Sequence, residues 1–150
     1  MTAPFPHRYE IRLDWPGHGG AALTAGSRPA ITGGAPREFD GRDSWWSPEH
    51  LLLSSLSLCL MTTFEAVAAK TRLPVHGYRC RSEGILDRTE EGLGFTALRL
   101  RVELEVDAED VERARTVMTK AKKHCLVAAA LEPVVDIEVS VLTRVMAGVC

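Results

Sequence analysis

The sequence predicts an α+β fold in one domain spanning 1–150, with the element order βββ-α-ββ-α-β, and three observations carry the prediction. Stretches at His7–Asp14, Tyr78–Glu83, Leu98–Val106 and Val135–Val141 alternate apolar and polar side chains with period two, as half-buried strands do. A capped apolar run from Ser47 to about Lys70 reads as one long helix. Val111, Ala114, Met118 and Ala121, three and four residues apart, mark a second helix. At 150 residues the chain is long enough to bury one core and short for two.

The elements follow in order. His7, Tyr9, Ile11 and Leu13 alternate with Arg8, Glu10, Arg12 and Asp14 to give a strand with one dry face, ended by the Pro16-Gly17 turn. Gly20–Ala25 reads as the return strand and Pro29–Thr32 as a short third before Gly33-Gly34, which together make a small meander. Gly26–Ser47 is rich in Gly, Pro and charge and reads largely as a loop. Its length marks it as a binding-loop candidate or a surface excursion. Ser47 is the expected N-cap of the long helix. Pro48 occupies the first helical position, where its missing N–H costs nothing, and Glu49 lies in the positive first turn. Leu51, Leu52, Leu53, Leu56, Leu58, Leu60, Met61 and Phe64 then fall on all sides, so the helix is expected to be buried all round, more easily with a second subunit over it.

After Pro74, the Tyr78 and Leu98 strands are joined through a turn-like Asp87–Gly94 segment into an antiparallel hairpin, with Cys80 facing inward. The second helix is expected to begin near Asp107 as cap, with Cys125 continuing its register. Pro133 ends the helical pattern, and Val135, Ile137, Val139 and Val141 form the last strand.

Composition excludes several classes of function. Eighteen basic against twenty acidic residues leave a net charge of −2, so no global field draws the protein to nucleic acid or to anionic lipid. The longest uncharged apolar stretch, Leu51–Phe64, has 14 residues. As a helix it would rise about 21 Å, short of a ~30 Å hydrocarbon core, and so a core helix rather than a membrane span is expected. Met1–Pro6 shows no basic start, apolar core and small-residue cleavage site, and a cytoplasmic protein is expected.

The chemistry turns on four scattered cysteines, Cys59, Cys80, Cys125 and Cys150, with no C-x-x-C pair and no zinc-like spacing. Cys80 reads as a small core hydrophobe and Cys150 as a terminal thiol without fixed neighbours. Cys59 sits in an apolar helix that by itself makes a thiol inert unless a cation reaches it. Cys125 follows Lys120, Lys122, Lys123 and His124, which either favour a thiolate or form a solvated helix end.

Two motifs taken together resemble the OsmC/Ohr family of thiol-dependent hydroperoxide reductases. Ser47-Pro48-Glu49-His50-Leu51-Leu52, with Cys59 ten residues after Glu49, is similar to that family's Pro-Glu-x-Leu helix and first cysteine. Lys120-Ala121-Lys122-Lys123-His124-Cys125-Leu126-Val127 is similar to its Lys-x-Cys-Pro-Val segment and second cysteine, although Leu126 replaces Pro and Ala128 stands where Ser is frequent. The spacing of 66 residues between the cysteines is similar too, and the match covers nearly the whole chain as a divergent OsmC-like branch.

The resemblance implies curved antiparallel sheets around a long buried central helix, in an intertwined homodimer. It implies reduction of alkyl or fatty-acid hydroperoxides to alcohols, without metal or other cofactor, with an external dithiol of lipoyl or other type as reductant. Carried over by motif, Cys59 is the peroxidatic thiolate and Cys125 the resolving thiol that closes a Cys59–Cys125 disulfide. A buried thiol needs a fixed cation to ionise. Arg37, in Pro36-Arg37-Glu38-Phe39-Asp40-Gly41, resembles the family's Arg-Phe-Glu-Gly stretch, with Arg28 and Arg42 as rivals. Glu49 either orients that Arg or serves only as a helix N-terminal charge. Trp45, Trp46, Leu56 and Met61 either line an apolar substrate pocket or pack a dimer. Two other readings stay open: a redox sensor or thiol buffer, and a non-catalytic binder of apolar small molecules.

Overall fold

The computed structural model describes residues 4–131 and 133–144, and the chain divides into two compact units, Met1–Leu51 and Leu52–Cys150. In the first unit, β1 (Arg12–Asp14), β2 (Ala21–Thr24) and β3 (Ile31–Gly33) form an antiparallel sheet in the order β1-β2-β3. Leu13 lies opposite Leu23, and Leu23 opposite Ile31. The meander is therefore present, but its first strand is shorter than the alternation from His7 predicts. β2 offers only four residues to pair with, so residues 7–11 have no ladder, and Tyr9 is 93% exposed. The dry face expected for Tyr9, Ile11 and Leu13 is uncovered in the single chain.

The loop after β3 is more ordered than its composition suggests. Arg37–Phe39 form one 3₁₀ turn, closed by Asp40 in the left-handed region (φ 61°) and by Gly41 N–H donating to Pro36 O at 3.0 Å. The chain then returns beside β3, where Trp46 N–H donates to Thr32 O at 2.9 Å and Trp46 O accepts from Gly34 N–H at 3.1 Å. Ser47 caps the helix as predicted: its Oγ accepts the backbone N–H of His50 at 3.2 Å.

α1 (Pro48–Thr71) is 24 residues long, about 36 Å of rise. By length and composition it could cross a membrane, so the shorter apolar stretch read from the sequence does not exclude a span. What fixes its place is packing, because Leu56, Leu60, Phe64 and Ala68, each four residues on, are buried in the core of the second unit. The expectation of burial all round is not met within one chain. Among the described residues of α1 this stripe alone is fully buried, and Leu58 is 58% exposed.

The second sheet contains β4 (Gly77–Thr89), β5 (Gly92–Val106) and β6 (Val135–Thr143) in the order β4-β5-β6. The predicted hairpin is antiparallel and tighter than expected, turning at Glu90-Glu91 with Gly92 at φ 124°, and a bulge falls between Ile85 and Leu86. Every inward residue of β5 from Leu98 to Val106 is buried, as the alternation predicts. β6 departs from the antiparallel expectation. It pairs with β5 in parallel, Leu100 opposite Ile137 and Leu104 opposite Val141. The crossover of a 3₁₀ turn (Ala108–Asp110), α2 (Val111–His124) and α3 (Leu126–Ala129) is long enough to return the chain in the same direction.

α2 buries Ala114, Val117, Met118 and Ala121 on the same face of the sheet as α1. Asp107 does not cap α2 but holds the His76 ring at 2.9 Å. Cys125 leaves the helical register, with φ −71° and ψ 103° between α2 and α3. Cys150 lies outside the described residues.

The core predicts its own mutational cost. Leu60→Ala should lower stability by about 2–5 kcal/mol, through lost burial and the cavity left behind, and Ser47→Ala by ~1 kcal/mol through the lost cap. Urea unfolding followed by circular dichroism checks both.

Candidate thiol site

The second unit brings Cys59 and Cys125 together. Cys59 is half-buried on α1 and packs against the core cluster of which Cys125 is a member. Cys125 is 1% exposed, and the Cys59 thiol lies close enough to it to disfavour its ionisation. Burial pushes the Cys125 thiol up from its ordinary value, the backbone amide of Ala128 pulls it down, the Cys59 thiol raises it again, and the Val127 amide pulls it down. Desolvation wins, and Cys125 is a protonated thiol at neutral pH.

The local sequence explains this geometry. The α2 stripe of Ala114, Val117, Met118 and Ala121 draws that helix onto the sheet, and the break at Cys125 turns its side chain into the core. α3 then starts on the other side of the break. Leu126 occupies the first helical position of α3, where proline is favoured, so the replacement of the motif's proline keeps the turn and loses only preorganisation.

Two neighbours were not singled out as site residues. Tyr78 stands two residues before Cys80 in the inward register of β4, with its ring 5.7 Å from that of Phe64. Its hydroxyl is buried with no hydrogen-bond partner among the described residues, and burial, then Cys80 and Cys125, push its ionisation above the ordinary phenol range. Cys80 faces inward as expected, its Sγ 3.7 Å from Ser82 Oγ, which in turn meets Ser57 Oγ on α1. The signal for both was the alternation Tyr78, Cys80, Ser82, legible as burial but not as proximity to a thiol pair.

Other candidate residues belong to the first unit. The exposed Arg37 guanidinium is 3.3 Å from Asp43, Arg28 donates to Ala25 O at 3.2 Å, and the Arg42 guanidinium lies 5.3 Å over the Trp45 ring. Glu49 Oε2 is buried with no hydrogen-bond partner among the described residues, and neither Arg37 nor a rival pairs with it. Trp45 is half-buried, and Trp46 is 47% exposed. In the second unit, Leu56 is fully buried in the core, whereas Met61 lines a cavity of about 390 Å³ with Phe64, Ala68, Leu73 and Tyr78. Among the described residues, no three His, Cys, Asp or Glu side chains gather as a metal site would require.

Residues 41–140 match the family model described as OsmC-like protein. The uncharacterized protein YmaD of Bacillus subtilis (strain 168) is 27% identical over 137 residues, covering 88% of this chain and 91% of that protein. The OsmC-like protein of unknown function VCA0330 from Vibrio cholerae superposes with a TM-score of 0.79 at 17% identity, over 91% of this chain and 100% of that one. The organic hydroperoxide resistance protein OhrB of Bacillus subtilis gives 0.64 at 17% identity, over 89% and 98%. At these identities the two structures show a shared α+β fold.

The raised Cys125 and Tyr78 ionisations set an alkaline limit on stability. Each group keeps its proton in the folded protein to a higher pH than in the unfolded chain, so the unfolded state binds fewer protons once the ordinary value is passed. Stability should therefore be flat near neutrality and fall as pH rises past 9.0, the ordinary thiol value, and further past 10.0, the ordinary phenol value. Denaturant midpoints of wild type and Cys125→Ala across pH 7 to about 10.5 check this, with the smaller alkaline loss expected in the variant.

Proposed function

This chain belongs to the OsmC-like protein family, and from that membership we propose that it reduces organic hydroperoxides to alcohols with the Cys59 and Cys125 pair. The observation that carries the reading is the meeting of these two thiols, 66 residues apart in sequence, at one core cluster of the second unit. Cys59, which matches the family's first cysteine and is the less buried of the two thiols, is assigned as the attacking sulfur. The Cys59 sulfur takes the terminal peroxide oxygen, the O–O bond breaks, and the alkoxide leaves as alcohol after taking up a proton. The resulting Cys59 sulfenic acid is attacked by the Cys125 sulfur, and water departs with the Cys125 proton. A Cys59–Cys125 disulfide remains, and an external dithiol resets it. That reset needs a reducing compartment, in keeping with a cytoplasmic protein.

Arg37 is assigned to stabilise the thiolate and the peroxide, and Glu49 to orient it. Ten residues of α-helix separate Glu49 from Cys59, about 15 Å of rise, well beyond hydrogen-bond reach. Glu49 and Arg37 of one copy are therefore assigned to Cys59 of a second copy. A homodimer also accounts for the uncovered apolar residues Leu58, Tyr9, Ile11 and Leu13. Trp45, Trp46 and Met61 are assigned to the alkyl part of the substrate, while Leu56 is withdrawn from that role because the core encloses it.

Two experiments test the reading. Stopped-flow mixing of the reduced protein with cumene hydroperoxide should form the disulfide rapidly in wild type. Cys59→Ser should make no alcohol, Cys125→Ser should stop at a sulfenic acid seen by mass spectrometry, and thiols that stay reduced for minutes would sink the reading. Arg37→Lys should slow the first step by on the order of a hundredfold. Mixing inactive Cys59→Ser with inactive Glu49→Gln should restore activity through mixed dimers that carry one intact site; no recovery would place both residues in one copy.

A further inference from the structure

We propose that Trp45 is the anchor of the arginine loop: seated over Gly20 and Gly34, its indole holds residues 34–46 in one shape and so fixes where Arg37 stands. This rests on the assignment of Arg37 to the thiolate and adds the residue that positions it. The contact lies wholly within the first unit. Gly20 and Gly34 sit just beyond the last β2–β3 pair, Ala21 opposite Gly33, and so face each other across the two strands. A Cβ at Gly20 would stand 2.6 Å from the Thr32 methyl and 3.0 Å from Trp45 Cε2, while the three atoms nearest a Cβ at Gly34 all belong to the Trp45 ring and the first of them, Cε3, would overlap it. Neither glycine has the positive φ that would by itself require its type. The close approach of the ring is what demands a bare backbone there, an aromatic laid across a glycine pair at the end of two strands.

The rest of the loop hangs from this contact. Next to the anchor, Trp46 is tied to β3 and Gly34 by the two backbone hydrogen bonds already described. Trp45 N–H donates to Arg42 O at 3.0 Å, closing a turn that presents Asp43, and Asp43 holds the Arg37 guanidinium at 3.3 Å. Both partners of that ion pair are exposed, so the pair alone is too weak to keep Arg37 in one place. The packed indole supplies the fixed end.

The same ring sorts the two arginines of the loop. The Arg42 guanidinium lies 5.3 Å from the indole centroid, where the ring's π-face attracts it. Arg42 is thereby committed to the anchor, and Arg37, on the 3₁₀ turn closed by Gly41, is the arginine that the anchored loop can offer to a thiolate. Trp45 thus acts through Arg37, a task besides the alkyl contact assigned to it.

The experiment uses the full chain and has two arms. In the first, trypsin cutting of the native protein after Arg37 and Arg42 is followed by mass spectrometry, with cutting after Arg101 in β5 as the internal measure of global unfolding. Gly34→Ala, which pushes the ring off its seat, and Trp45→Ala, which removes it, should each raise loop cutting about tenfold relative to Arg101. The double variant should match Trp45→Ala, because without the ring an alanine at 34 has room. Wild-type cutting in both single variants, or two effects that multiply in the double, would overturn the anchor. In the second arm, Gly34→Ala should slow sulfenic acid formation with cumene hydroperoxide by about tenfold, and in an Arg37→Lys background it should slow it no further. Losses that multiply would make Trp45 a structural residue with no hold on Arg37. Wild type inert to hydroperoxide would sink the peroxidase reading and leave the cutting rates to decide the anchor.

Discussion

The second unit depends on one apolar contact, the burial of the α1 stripe Leu56, Leu60, Phe64 and Ala68 with the inward face of β5 from Leu100 to Val106. Apolar burial is worth about 25 cal/mol per Å², and it is non-directional. Its consequences here are directional, because helix and strand periods decide which other side chains arrive with the stripe. Cys59 comes in on the flank of α1, Tyr78 and Cys80 on the inward register of β4, and Cys125 at the break after α2. The thiol pair is a by-product of core packing, held in place without a dedicated loop.

The same burial differentiates the two thiols. Cys125 is enclosed by the core, and desolvation holds its proton. Cys59 is only half-buried and stands on the helix whose remaining surface the chain leaves uncovered. A site that needs a cation must find it beyond this helix. Among the described residues the buried Glu49 Oε2 has no hydrogen-bond partner, and the exposed Arg37 is paired with Asp43 instead.

Much of the fold was legible because it is local. Ser47-Pro48-Glu49 announced the start of α1 to the residue, since a cap is decided by the few amide groups around it. The alternation of β5 was legible because both its faces are determined by period two, and every predicted inward residue is buried. Residues 7–11 misled for the converse reason. Their alternation is real, but a strand needs a partner, and β2 is too short to give them one. Likewise, eight apolar residues around one helix showed that burial was wanted, while among the described residues only one stripe is fully buried.

The candidate site divides along the same line. Cysteine positions, the lysine run before Cys125 and the glutamate at the head of α1 are properties of the sequence by itself. It also determined the order βββ-α-ββ-α-β, because periods, caps and breakers act within a few residues. Only the tertiary structure decided that β6 runs parallel to β5, that Cys59 lies against Cys125 with Tyr78 nearby, that Leu56 is core, and that Arg37 rests on Asp43. Those outcomes depend on where a 28-residue crossover sets its last strand and on which surfaces compete for burial. They are sums over contacts distant in sequence, and no local pattern encodes them.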